Sequence, residues 1–210
     1  SNSKYKLMIS LFTSISVFNF YLVDYLFYQQ IEFMYSNKEE ISSFLGIFYA
    51  ITGILNIIIA GFFTNKIITH WGMNIAILVA PLSVAFCSIN VSLSHYFLSI
   101  VSLFFVLVVI LKITYEVMFN SVESPVMRLV YQPMPISSRI QFIGKVESII
   151  QPTAIFLISV FLLLSEEKSY LNISNTILTI TLLSILWIVI AVILSNEYRN
   201  LENYDKERIK

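Results

Sequence analysis

The chain has 210 residues, of which 57% are hydrophobic and 12% charged, with 13 basic and 13 acidic side chains and no formal net charge. Its mean hydropathy of +0.80 is too high for a water-soluble domain of this size, which argues against a soluble enzyme. A basic face for nucleic acid is absent, so nucleic acid is not expected as a partner. The one cysteine, Cys87, cannot form an intrachain disulfide and is expected to pack as a small apolar residue.

Six apolar segments follow one another along the chain. Each is close to the ~20 residues that an α-helix needs to cross ~30 Å of hydrocarbon. They predict an all-α polytopic membrane protein whose first partner is the lipid bilayer, with a six-helix bundle over residues 1–196 and a charged tail over 197–210. The segments are residues 7–30, 41–64, 73–91, 96–119, 140–164 and 173–194.

Basic residues between the segments are distributed unevenly. With six crossings both termini lie on one side of the membrane, and nine lysines and arginines fall on that side against two on the other. Because basic loops stay in the cytoplasm, both termini are predicted to be cytoplasmic, in a bacterial inner membrane or its equivalent. The nine are Lys4, Lys6, Lys66, Arg128, Arg139, Arg199, Lys206, Arg208 and Lys210; the two are Lys38 and Lys168.

Local signals place the helix ends. Asn37 with Glu40 three residues later resembles a capping box at the start of the second helix. Gly72 stands where the short turn between the second and third helices must reverse direction. His70 and His95 are both predicted in loops, with His70 next to Trp71 at the membrane interface.

The second helix carries small residues at helical spacing. They allow two helix backbones to approach closely, as membrane helices do when they pack. The set therefore predicts a packing seam or, alternatively, a seam against which a partner bundle slides. It consists of Gly46, Ala50, Gly53 and Gly61.

Ionisable residues inside the spans are costly and are functional candidates. Asp24 lies in the outer part of the first helix, while Lys112 and Glu116 lie four apart on one face of the fourth and can pair. Together with Lys112 and Glu116, the remaining charges are predicted to concentrate at the cytoplasmic ends of helices four and five, partly in an irregular stretch after residue 119. One interpretation is a charge network that holds two helices together. The other is a lining that attracts an anionic substrate. The set comprises Lys112, Glu116, Glu123, Arg128, Arg139, Lys145 and Glu147.

Catalytic and cofactor motifs are not found in the sequence. It contains no glycine-rich phosphate loop, no Cys/His metal spacing and no cluster that combines a nucleophile, a base and an orienting group. The sequence therefore predicts neither an enzyme, nor a metal site, nor a cofactor.

Three runs of residues stand out along the chain: Asp24-Tyr25-Leu26-Phe27, residues 44–56, and residues 123–135 with the pattern Tyr131-Gln-Pro133-Met-Pro135, followed by Arg139 and Lys145. These runs resemble the second half of the ATP/ADP-antiporter-like family of the major facilitator superfamily. Residues 61–72 look like a degenerate form of the loop signature of major facilitators. Its usual Asp-Arg pair is replaced here by Asn65-Lys66.

The resemblance implies one six-helix half of a twelve-helix transporter, built from two three-helix inverted repeats. The substrate cavity would lie between this half and an N-terminal six-helix half of the same protein, so the chain is expected to be part of a larger one. The family exchanges ATP for ADP, which makes a small organic anion, first of all a nucleotide, the expected solute. Lys112, Arg128 and Lys145 would attract phosphate, while Glu116 and Glu147 would hold these cations in place. Asp24, Glu123 and Lys66 would serve gating or coupling.

A second function class stays open on the sequence. A non-transporting membrane module that anchors or regulates an attached soluble domain is the alternative, and the degenerate loop signature and the mostly Ser/Thr/Asn-type interior polarity fit it. The two differ in what accompanies this half: a second six-helix bundle favours transport, and a soluble domain joined directly favours an anchor.

Overall fold

Six long apolar helices make up the described part of the protein. The computed structural model describes residues 2–98, 100–167 and 172–208, and these contain six helices long and apolar enough to cross a membrane and no β-strand. The predicted all-α membrane protein with six spans is thus confirmed. The helices are α1 Ser3–Met34, α2 Lys38–Trp71, α3 Met73–Leu98, α4 Val101–Val130, α5 Ile136–Ser165 and α6 Ile173–Glu202.

The helices are longer than their apolar segments. The last one continues as helix to Arg208, through most of the residues predicted as a tail. α4 does not end in an irregular stretch, as we predicted, but runs on to Val130 through a π-helical turn at Phe119–Glu123. Pro125 follows this turn. Proline lacks an N–H, and its ring crowds the preceding turn of a helix; the wider π-turn accommodates both effects. Lys168 and Lys210, which entered the charge count, lie outside the described residues.

The predicted local signals have mixed outcomes. Gly72 forms the turn between α2 and α3 with φ +79°, a conformation that favours glycine, so this prediction is confirmed. Asn37 does precede α2, but its side chain makes no capping hydrogen bond, and the predicted capping box is wrong. His70 and His95 were wrongly predicted in loops: both lie in π-helical turns that end α2 and α3.

Burial differs sharply among the helices. In their most apolar windows α2 and α5 bury only 11% and 17% of their residues, whereas the other four bury 39–44%. The core therefore lies between α1, α3, α4 and α6. At its centre the fully buried Trp187 of α6 packs against Phe12 of α1 and stacks on Tyr115 of α4, at ring-centroid distances of 5.5 and 5.9 Å. Aromatic rings supply large buried area in such a core.

The small residues of α2 do not form a seam within this chain. A Cβ atom added at Gly46, Gly53 or Gly61 would meet nothing within 4 Å. The predicted packing seam is therefore absent among the described residues. The seam for a partner stays a prediction.

The contacts between helices follow a symmetric pattern. Apart from the turn at Gly72, the principal contacts join α1 with α4, α5 and α6, α4 with α2 and α3, and α3 with α6. This set is unchanged when α1 is exchanged with α4, α2 with α5 and α3 with α6. An inverted repeat of two three-helix units requires such a pattern; the repeat itself stays a prediction.

Candidate functional site

Lys112 is a buried lysine with two carboxylate partners. Its side chain is 2% exposed, its Nζ forms an ion pair with Asp24 of α1, and it donates a hydrogen bond of 2.6 Å to Oε1 of Glu116. The ammonium also lies 4.5 Å from the centre of the Phe20 ring, within range of a cation–π interaction. The predicted pairing of Lys112 with Glu116 is confirmed, while its contact with Asp24 was not predicted.

This ionic cluster (Asp24, Lys112 and Glu116) lies deep in the helices. Glu116 is fifteen residues after Val101 and fourteen before Val130, which places it midway along α4. Lys112 is eleven residues from the beginning of α4, about 16 Å along the helix, so its predicted place at the cytoplasmic end is wrong. With one cation and two carboxylates, the cluster carries a formal charge of −1 rather than a cationic lining.

Polar groups around the cluster reach the outer surface of the bundle. The side chains of Asp24 and Glu116 are 24% and 17% exposed. Tyr28, one turn after Asp24, shares a 3.0 Å hydrogen bond with Tyr49 of α2, and both rings are exposed. The exposed Asn120, one turn after Glu116, donates to the Glu116 carbonyl at 2.9 Å. We call these five residues the polar stripe.

A second polar site is a cavity of about 170 Å³ between α1, α4 and α5. Glu123, in the π-helical turn of α4, lines it and is only 7% exposed. It shares this lining with Ser16 of α1 and is in no ion pair among the described residues. The polar residues around this cavity are Thr13, Ser16, Glu123, Ser124, Arg128, Tyr131, Glu147 and Gln151.

The rim of this Glu123 cavity combines both signs of charge. Arg128 and Glu147, both exposed, line it from α4 and α5. Tyr131, just beyond α4, is 8% exposed; burial, and secondarily the nearby Glu147 carboxylate, raises its pKa to about 12. Its hydroxyl therefore keeps its proton at neutral pH and can donate a hydrogen bond at the rim.

The structure divides the predicted site residues into two groups and leaves two apart. Asp24, Lys112 and Glu116 form the ionic cluster, while Glu123, Arg128 and Glu147 meet at the Glu123 cavity. Lys145 and Lys66 are exposed, line neither site, and are in no ion pair among the described residues. The substrate, gating and coupling roles assigned to these residues stay predictions.

A larger cavity, of about 290 Å³, lies near the opposite ends of α1 and α4, where α3 and α6 also line it. It is lined mainly by apolar residues such as Phe33 and Phe104, with Gln30 and His95 among its few polar ones. His95 is fixed there by a 2.8 Å hydrogen bond to Ser174. None of the residues predicted from the sequence for substrate binding, gating or coupling lines this cavity.

Sequence reasoning missed the hydroxyl groups near Glu123. Tyr115 of α4 donates a 2.6 Å hydrogen bond to the Ser16 carbonyl, and Ser16 and Thr13 of α1 line the Glu123 cavity. Thr13 and Ser16 stand three apart on one face of α1, in a stretch that also contains Ser10 and Ser14, and this spacing was the available signal. Hydroxyls are common in membrane helices because they can bond to their own backbone, so the signal alone is weak.

Comparison of the chain with models of protein families, with curated proteins and with solved structures finds no significant match to any of them.

Proposed function

We propose that the chain is one half of a secondary transporter that works by alternating access. The solute is an organic anion, and a nucleotide exchanged in the manner of ATP for ADP is the first candidate, as the resemblance of the sequence implies. Both termini lie in the cytoplasm. Transport needs no covalent chemistry from this chain, since two bundles rock around a site between them.

The polar stripe is the observation that carries this proposal. Charged side chains in the middle of a bilayer are costly and face a protein interior or a water-filled cavity rather than lipid. Asp24 and Glu116 keep part of their surface open at that depth, and Tyr28, Tyr49 and Asn120 continue the polar surface beside them. A cleft between this bundle and a second one provides the water that these groups require.

Two features of the fold support the same reading. The low burial of α2 and α5 leaves two helices free to contact a second bundle. The symmetric pattern of helix contacts is the one that paired three-helix repeats produce. Repeats of this kind are typical of transporters, although fold-level analogy does not identify a solute.

The geometry suggests separate roles for the cations. Lys112 already has two carboxylate partners, so we assign it to the link between α1 and α4 instead of the solute. Arg128 and Lys145 are exposed, and we assign them to the anion. Arginine can contact a phosphate through two hydrogen bonds, whereas lysine offers a flexible point charge.

The test is uptake of labelled ADP by the full-length protein in liposomes loaded with ATP, compared with liposomes without nucleotide. Uptake that requires internal ATP supports nucleotide exchange. Protein that is folded and inserted but takes up no ADP refutes nucleotide exchange. Loss of uptake for a wider panel of organic anions as well would refute transport and favour the membrane anchor.

A further inference from the structure

Two contacts near the crossing of α1 and α4 join residues that are 99 positions apart in sequence. Ser16 contacts Tyr115 at 3.3 Å, and the Phe20 ring lies 5.7 Å from that of Phe119. In both pairs the numbers differ by 99, since 115 − 16 and 119 − 20 give the same value. A two-fold axis that related the two predicted three-helix repeats through this crossing would give corresponding residues the same offset.

The same offset relates the two polar sites. Asp24 corresponds to Glu123, and Lys112 corresponds to Thr13, because 123 − 24 and 112 − 13 are also 99. Asp24 is paired with Lys112 across the two helices, while Glu123 and Thr13 line one cavity. The ionic cluster has the Lys112 ammonium beside the Asp24 carboxylate. At the corresponding position, the Glu123 cavity has the short Thr13 hydroxyl and open space.

The residues of α2 and their counterparts in α5 also differ in polarity. Glu147 and Gln151 of α5 correspond at this offset to Phe48 and Thr52 of α2. Phe48 is buried and packs on Phe27 at a centroid distance of 4.7 Å. The α5 counterparts instead line the Glu123 cavity of about 170 Å³ with polar groups. This volume is well above the ~15 Å³ that one water molecule needs.

We propose that the Glu123 cavity binds a monovalent metal cation, of which sodium is the probe, in the place where the ionic cluster holds the Lys112 ammonium. A buried carboxylate without a counter-charge is unfavourable, and a bound cation supplies that charge. Arg128 and Glu147 at the rim neutralise each other formally, which leaves the single negative charge of Glu123. One positive charge balances it.

The lining fits a hard cation. Hydroxyl groups of Thr13, Ser16 and Ser124, the amide oxygen of Gln151 and the Glu123 carboxylate are oxygen ligands of the kind that alkali and alkaline-earth ions prefer. Among the described residues no three His, Cys, Asp or Glu side chains converge as they would for a multivalent metal. Cation binding at this site is separate from solute binding, and the proposal does not depend on which solute the transporter carries.

Binding of radioactive sodium to the purified full-length protein tests the proposal. The wild-type protein should bind sodium saturably, with displacement by unlabelled sodium but not by choline at equal ionic strength and pH. Glu123→Gln, which keeps the size and hydrogen-bonding capacity of the side chain, should abolish binding. Glu39→Gln removes an exposed carboxylate at the start of α2 and should bind as the wild type does.

A second variant is needed because Glu123→Gln could lose sodium binding by misfolding. Thr13→Val removes one hydroxyl ligand at constant shape and should weaken sodium binding by about tenfold, the equivalent of ~1.4 kcal/mol. The proposal would be overturned if folded wild-type protein showed no saturable sodium binding. This is the result expected if Glu123 takes up only a proton. Equal sodium binding by wild type and Glu123→Gln would overturn it too, because the cation would then bind elsewhere.

Discussion

Replacement of Lys112 by methionine removes the positive charge of the ionic cluster at nearly constant side-chain length. Asp24 and Glu116 then face each other in the middle of the membrane without a cation. Breaking a buried ion pair by removal of one partner costs about 3–5 kcal/mol. Because the two carboxylates are 24% and 17% exposed, water partly compensates them, and we expect the lower end of this range, about 3 kcal/mol. That corresponds to more than a hundredfold change in the unfolding equilibrium.

The assay is reversible unfolding by sodium dodecyl sulfate in mixed micelles, followed by circular dichroism. Lys66→Met serves as the matched control, because Lys66 is exposed and in no ion pair among the described residues; its change should stay within about 0.5 kcal/mol. The double variant Lys112→Met/Asp24→Asn should recover part of the loss, since one of the uncompensated carboxylates is gone. A loss below about 1 kcal/mol in Lys112→Met, or no recovery in the double variant, would refute the cluster as a stabilising link between α1 and α4.

Three further outcomes are expected. Lys145→Ala should lower anion uptake while its amount in the membrane fraction stays at the wild-type level, and unchanged uptake would remove Lys145 from the solute path. Gly72→Ala should lower the unfolding temperature, because a side chain at φ +79° costs about 1–3 kcal/mol, whereas Gly144→Ala, at a helical position with open space, should leave it nearly unchanged. In a Cys87→Ser background, Ser36→Cys between α1 and α2 should react with a membrane-impermeant maleimide added to whole cells; reaction only after lysis would reverse the proposed topology.

The number and order of the helices could be predicted because each depends on about twenty consecutive residues. Hydropathy over such a window identifies a span without knowledge of its neighbours. The turn at Gly72 and the pairing of Lys112 with Glu116 were equally local, since a turn and a spacing of four residues are both visible in the sequence. Local signals failed at Asn37, whose capping bond depends on a side-chain rotamer that the sequence does not determine.

The contacts that define the two polar sites could not be predicted, because they join residues that are far apart in the sequence. Asp24 and Lys112 are 88 residues apart, and only the packing of α1 against α4 brings them together. We assigned Lys112 to a cluster with Arg128 because the two are close in sequence, yet they lie at different depths along one helix. Trp187 also lacked a local explanation, and its place in the core follows from Phe12 and Tyr115 on two other helices.

The π-helical turn at Phe119–Glu123 has a consequence for motion. A π-turn holds one residue more than an α-turn, and each residue of an α-helix accounts for about 100° of rotation. If this turn tightened to α-helical geometry, the part of α4 beyond Glu123 would rotate by about that angle and would carry Arg128 away from the rim of its cavity. One local change of hydrogen bonding would thus turn a whole helix end about its own axis, with no bending of the bundle.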